Sequence, residues 1–89
     1  MAFYVVKHKV ADFDSWKKVY DGFEETRKKF GVKEHYALQS ANDSNHVLVV
    51  GEGKADAIDR FLNSEDLKKG MATAGISGVP DIFVGNDVR

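Results

Sequence analysis

The sequence predicts an α+β fold of βαββαβ order, with a four-stranded antiparallel sheet and the helices packed on one face. Three observations carry this. Apolar segments of strand length and of helix length alternate in that order along the chain. Nearly every strand segment is apolar on both faces. Two helical segments cover only one face of such a sheet. The other apolar face therefore needs a partner, and a second copy of the chain is the expected one.

The first strand is expected over residues 3–10. Its registers are Phe3, Val5, Lys7, Lys9 and Tyr4, Val6, His8, Val10, and both begin apolar, as in a central strand. Asp12 then offers a helix cap, with Asp14 in the first turn. Phe13, Trp16, Val19, Tyr20, Phe23, Arg27 and Phe30 follow at steps of three and four. That spacing predicts one continuous helix of about five turns. Arg27, Lys28 and Lys29 suit its C-terminal dipole, and Gly31 is its left-handed stop. Residues 32–40 form the second strand, with Val32, Glu34, Tyr36 and Leu38 in one register and Lys33, His35, Ala37 and Gln39 in the other.

Residues 41–45, Ala-Asn-Asp-Ser-Asn, read as a turn. Residues 46–51 are a nearly all-apolar third strand. A second helix carries Ile58, Phe61 and Leu62 on one side, and Ser64 restarts it with Glu65 and Asp66 in a new first turn. Leu67 and Met71 continue its buried side. Gly70 weakens this piece by about 1 kcal/mol relative to alanine, so a break is expected there. Gly75 ends it. Residues 76–80 are an extended connector, and residues 81–86 are the fourth strand.

Right-handed crossovers in this order give a ferredoxin-like sheet of strand order 4-1-3-2. Residues 1–89 make one domain. A chain this short buries only roughly 60–65% of its unfolded surface, which makes a lone protomer marginal. With no cysteine, disulfides, thiolate metal sites and a cysteine nucleophile are excluded, in keeping with a reducing cytoplasmic setting. A net charge of −1 provides no field to steer the chain toward nucleic acid or membrane. No segment approaches the roughly 20 apolar residues of a membrane span. The N-terminus lacks the pattern of a signal peptide.

The fold hosts many functions, and motifs sort among them. An RNA-recognition module needs aromatics on the third strand, and His46-Val47-Leu48-Val49-Val50 has none. A copper chaperone needs a cysteine pair. An acylphosphatase-like site needs an arginine-bearing anion loop after the first strand, where this chain has Val10-Ala11-Asp12-Phe13. Paired carboxylates such as Glu24-Glu25 and Glu65-Asp66 read as solvated faces and caps. No serine sits in an elbow motif.

Two stretches carry a family resemblance. One is Val6-Lys7-His8-Lys9-Val10-Ala11-Asp12-Phe13-Asp14-Ser15-Trp16. The other is Phe61-Leu62-Asn63-Ser64-Glu65-Asp66-Leu67 together with Met71-Ala72-Thr73-Ala74-Gly75-Ile76-Ser77-Gly78-Val79-Pro80. The chain resembles the dimeric α/β-barrel group, in particular small cofactor-free proteins related to antibiotic-biosynthesis monooxygenases. The resemblance implies a homodimer whose sheets pack face to face into a barrel, each protomer keeping a pocket between sheet and helices. The group also contains isomerases and haem-binding members. Its haem-degrading members carry an Asn, Trp and His set with the His on a helix. Here the only Trp opens the first helix and all three His lie on predicted strands, so no catalytic residue is carried over.

His8 is the candidate catalytic residue. It shares the register of Tyr4, Val6 and Val10, which is assigned to the helix side, and an imidazole there can serve as a general base. The bland alternative is a core histidine bonded to a carboxylate such as Glu52. Trp16, Tyr20 and Tyr36 are the candidate ligand-binding residues, the first two doubling as core stripe. The three histidines are expected on opposite faces and ends, His8 and His35 near one end and His46 at the other. No metal site and no cofactor are therefore expected. The dimer surface is assigned to Phe3, Val5, Val47, Val49 and Phe83. Two functions remain open. One is a small cofactor-independent enzyme of the monooxygenase, isomerase or cyclase kind, acting on a largely apolar substrate with His8 as base and Tyr36 as donor. The other is a non-catalytic dimer that binds a small molecule or serves in assembly. An open cavity beside His8 separates them in favour of the enzyme.

Overall fold

The computed structural model describes residues 1–89, and strand β1 (Ala2–Val10) lies at the centre of its sheet. β1 pairs antiparallel with β3 (His46–Gly53) on one side and with β4 (Ile76–Asn86) on the other. β2 (Lys33–Gln39) closes the far edge against β3. The order β2-β3-β1-β4 is the expected 4-1-3-2 read from the opposite edge. The chain thus has the ferredoxin-like α+β fold.

Each expected helix is two helices. The first segment divides into α1 (Phe13–Gly22) and α2 (Glu24–Phe30). The joint is Phe23, whose N–H bonds back to Tyr20 O at 3.1 Å while its own carbonyl accepts from Arg27 N at 2.9 Å. This three-residue step turns the Phe23 ring toward α4 (Glu65–Ala74). The second segment divides into α3 (Ala55–Leu62) and α4 at Asn63–Ser64, where Ser64 restarts the helix as expected, while the further break expected at Gly70 does not occur. The Ser64 hydroxyl accepts from Leu67 N at 3.1 Å and so nucleates the new helix. Gly70 remains helical because its missing side chain has a use. A Cβ there would lie 2.4 Å from the Phe23 ring, so packing outweighs the propensity cost.

The N-terminus of α1 is capped as read, with the Asp12 carboxylate accepting from Ser15 N at 3.0 Å. Gly31 and Gly75 close α2 and α4 at φ 78° and 71°, the left-handed values that favour glycine. β4 begins earlier than expected and takes in the 76–80 connector. Pro80 is tolerated because β4 is an edge strand, and a register shift opposite Lys7–Lys9 accommodates the irregular part.

The pairing of β1 with β3 fixes the faces. Tyr4, Val6 and His8 lie opposite Gly51, Val49 and Val47, and all six are buried under the helices. This corrects the assignment of Val47 and Val49 to the outer face. An all-apolar strand does not declare its own register, and the antiparallel ladder places both with His8. Leu48 and Val50 take their place on the outer face, beside Lys7 and Val5. Phe3, Val5 and Phe83 are on that outer face as read, with Phe83 directly opposite Val5.

One core joins sheet and helices: Tyr4, Val6, Val10, Val47 and Val49 from the strands, Trp16 from α1, and Ala57, Ile58 and Phe61 from α3. Trp16 is its aromatic hub. Its ring stacks on Tyr20 at 5.0 Å, meets Phe13 at 5.7 Å, and presents an edge to His8 at 5.9 Å. Trp16→Ala removes all three contacts and should cost about 3–5 kcal/mol. That is a large share of what so small a domain commands. An unfolding free energy from chemical denaturation changed by less than a tenth of this would place the indole outside the core.

Candidate functional site

Helices and sheet do not close completely. Between them lies a cavity with about 70 Å³ of room for water-sized groups, or about 530 Å³ of empty space when its mouth is included. Strand residues Tyr4, Val6, His8 and Val49 form its floor. Trp16, Val19, Tyr20 and Phe23 from the α1 side, and Leu67, Gly70 and Met71 from α4, form its roof. Most of the lining is apolar, with polar groups at two places.

The first is His8. It is 6% exposed, and neither ring nitrogen has a hydrogen-bond partner within the protein. The bonded-core alternative is therefore not realised, because Glu52 is on the outer face and accepts from the His35 ring at 2.6 Å. Burial lowers the His8 pKa below its ordinary value, and the neighbouring His46 adds to the effect. His46 lies opposite Lys9, next to His8, and His35 lies at the far end of the sheet. The expected end-to-end placement of those two histidines is reversed, since β3 runs antiparallel to β1. No cluster of three His, Asp or Glu side chains forms in which a metal ion could be held.

The second polar place was missed by sequence reasoning. It is a row across the sheet, Tyr4–Gly51–Glu34, set by the pairings of β1 with β3 and β3 with β2. The Tyr4 ring lies across Gly51, where a Cβ would come within 2.3 Å of it. Only glycine lets the tyrosine reach the Glu34 side. Arg27 arrives from α2. Its Nη1 is 3.3 Å from Glu34 Oε1 and donates to Tyr20 O at 3.0 Å, and its guanidinium stacks 4.4 Å over the Tyr20 ring. The Arg27 and Glu34 side chains are only 12% and 7% exposed. Burial raises the Glu34 pKa, and Arg27, Tyr20 and Tyr4 pull it back. Both tyrosines face this carboxylate. Burial first, and then the Glu34 charge, push the Tyr20 phenol up to about 12 and Tyr4 higher still. The signals were present in the sequence: an arginine on the aromatic stripe, and a glutamate in the apolar register of β2.

The structure brings His8, Trp16 and Tyr20 to this cavity and leaves Tyr36 out. Tyr36 is 62% exposed on the outer face. A bulge at His35 is the cause. Glu34 pairs with Gly51 and Tyr36 with Val50, so two residues that should share a face point to opposite ones.

Fold and cavity together define a small ferredoxin-like protein with a largely apolar pocket between sheet and helices. The chain belongs to the family described as Domain of unknown function (DUF3764), whose model matches residues 1–79. No curated protein matches it by sequence. Solved structures resemble it over nearly their whole length. An antibiotic biosynthesis monooxygenase has TM-score 0.81 at 12% identity, with 100% of each chain covered. A protein of Nitrosomonas europaea provisionally named as such a monooxygenase has TM-score 0.78 at 14% identity, again with 100% of each chain covered. A conserved protein of Methanosarcina mazei Go1 has TM-score 0.74 at 19% identity, covering 94% of this chain and 90% of its own. At such identities the likeness is one of fold, and the fold is that of the antibiotic biosynthesis monooxygenase-like proteins.

The tyrosine shifts have a measurable sign. Folded Tyr20 ionises above the unfolded value near 10, so its contribution to stability is present below about pH 10 and lost as pH rises toward about 12. Alkaline titration followed by phenolate absorbance should show Tyr20 ionising together with unfolding. Comparison with Tyr20→Phe assigns the step. A Tyr20 that titrates near pH 10 in the folded protein would contradict its burial against Glu34.

Proposed function

We propose that the chain is the protomer of a homodimer that binds a small, largely apolar molecule in the sheet–helix cavity. We propose further that it transforms this molecule without a cofactor, as a monooxygenase-, isomerase- or cyclase-like enzyme of a reducing compartment such as the cytoplasm. One observation carries the catalytic half. The cavity opens beside a buried imidazole with both nitrogens unpartnered. A structural histidine would have spent at least one of them on a neighbour. The lowered pKa keeps His8 neutral at physiological pH, the state a general base requires. Trp16 and Tyr20 supply flat walls for the substrate. The names of the structural relatives point the same way.

The outer sheet face supports the dimer. Phe3, Val5, Leu48 and Val50 line its middle, and Tyr36, Leu38 and Phe83 stand out from its edges at 62%, 52% and 69% exposure. This is more apolar surface than a monomer ordinarily leaves bare. Sheet-to-sheet pairing should bury on the order of 800 Å² per chain or more. Sedimentation equilibrium at micromolar concentration should give twice the 9.9 kDa chain mass. A monomer under those conditions would remove the dimer from this reading.

Once a substrate is found by screening, His8→Ala should lower kcat by about 10²–10⁴-fold while the dimer persists. His35→Ala and His46→Ala should stay near wild type. The lowered His8 pKa moves the acid limb of the rate profile below the ordinary imidazole range near 6.5. It also means that the contribution of His8 to stability is complete above about pH 6.5 and fades as pH falls through the folded value. Full activity in His8→Ala would leave binding without catalysis by this residue.

A further inference from the structure

The row Tyr4–Gly51–Glu34 does more than fill space. Arg27 is held in place by its Nη1, which bonds to Tyr20 O and pairs with Glu34 Oε1. Tyr4 faces the Glu34 carboxylate closely enough to influence its titration, but it is not locked onto it. Its ring is completely buried, it is aimed across Gly51 toward Glu34, and its hydroxyl makes no hydrogen bond of standard geometry. An orphaned buried hydroxyl costs about 1–3 kcal/mol, and phenylalanine would pack the same space without that cost. A buried carboxylate beside it offers spare acceptor capacity, since an ionised carboxylate accepts at about four lone-pair positions. One group satisfies both needs. A hydroxyl on a neutral ligand donates to Glu34 and accepts from Tyr4 Oη. Both residues line the cavity that holds His8.

We infer that Tyr4 and Glu34 form a hydroxyl-recognising end of the cavity, and that its ligands are neutral, apolar-bodied molecules carrying a hydroxyl. This rests on the small-molecule reading of the cavity and gives that ligand a chemical class and an orientation. Tyr4 and His8 lie four residues apart on the same face of β1, roughly 13 Å along the strand. A ligand anchored by its hydroxyl at Tyr4 and Glu34 therefore extends its apolar body past Trp16 toward the imidazole. Arg27 holds the Glu34 carboxylate in place and favours its ionised form against the burial that opposes it.

Phenol and toluene test this, because they match in size and differ by hydroxyl against methyl. Trp16 is the only tryptophan and lines the cavity, so its emission reports binding without labels. A purely apolar cavity favours toluene, since the phenol hydroxyl loses its water without return. A hydroxyl-recognising end reverses the order, and phenol should bind at least about tenfold more tightly. Tyr4→Phe should weaken phenol by about five- to tenfold and leave toluene unchanged. This variant deletes a hydroxyl that makes no hydrogen bond of standard geometry within the protein and leaves the ring in place, so it keeps the fold. Glu34→Gln should also reduce the preference for phenol, but it strands Arg27. The decisive variant is therefore Tyr4→Phe. Toluene binding as tightly as phenol, or Tyr4→Phe leaving phenol unaffected, overturns the recognition end while the cavity remains a binding site. If neither compound perturbs Trp16 saturably, the recognition end and the small-molecule reading both fall.

Discussion

The pairing of β1 with both of its neighbours is the constraint on which the rest of the structure depends. Because β1 is central, its alternation divides the molecule into two sides. Tyr4, Val6, His8 and Val10 face the helices, and Phe3, Val5, Lys7 and Lys9 face away. The ladder to β3 then assigns Val47, Val49 and Gly51 to the helix side, and the ladder to β2 assigns Glu34. A slip of one residue in β1 would turn Tyr4 and His8 outward together and empty the cavity of its polar groups. Site and core thus share one register.

What the sequence made legible follows from periodicity. β1 and α1 were readable because aromatic and aliphatic residues recur at steps that only one structure satisfies. His8 was placed on the right face by the same alternation. What was not legible lies where periodicity is silent or broken. Val47-Leu48-Val49-Val50 is apolar in both registers, so the split of its residues between core and outer face required the ladder. The bulge at His35 is invisible in a sequence read by strict alternation, and it separates Tyr36 from Glu34. The joint at Phe23 interrupts a stripe that continues without phase error on either side.

The polar end of the cavity shows a different limit. Arg27 and Glu34 were each visible, one on an apolar stripe and one in an apolar register. Each alone reads as a surface residue whose stem lies along the core. Their meaning appears only when α2 and β2 meet, where each neutralises the other and the tyrosines stack and face around them. Gly51 completes the arrangement. It reads as the end of a strand in the sequence, and in the fold it is the gap through which Tyr4 reaches.

The energetics of the cavity argue for occupation. Tyr4 Oη and both His8 ring nitrogens are buried without protein partners. At about 1–3 kcal/mol per unsatisfied group, they offset a substantial part of the roughly 5–15 kcal/mol by which a domain is stable. Apolar residues of the same shape would remove that cost, so these groups are not what holds the fold together. The walls around them are well packed, with Trp16, Tyr20 and Phe61 in mutual aromatic contact with neighbours, so the orphaned groups do not come from a loose core. A ligand that meets these groups recovers part of the cost on binding, and its affinity appears directly as added stability of the folded state. The same polar atoms that weaken the empty protein therefore supply its selectivity when it is filled.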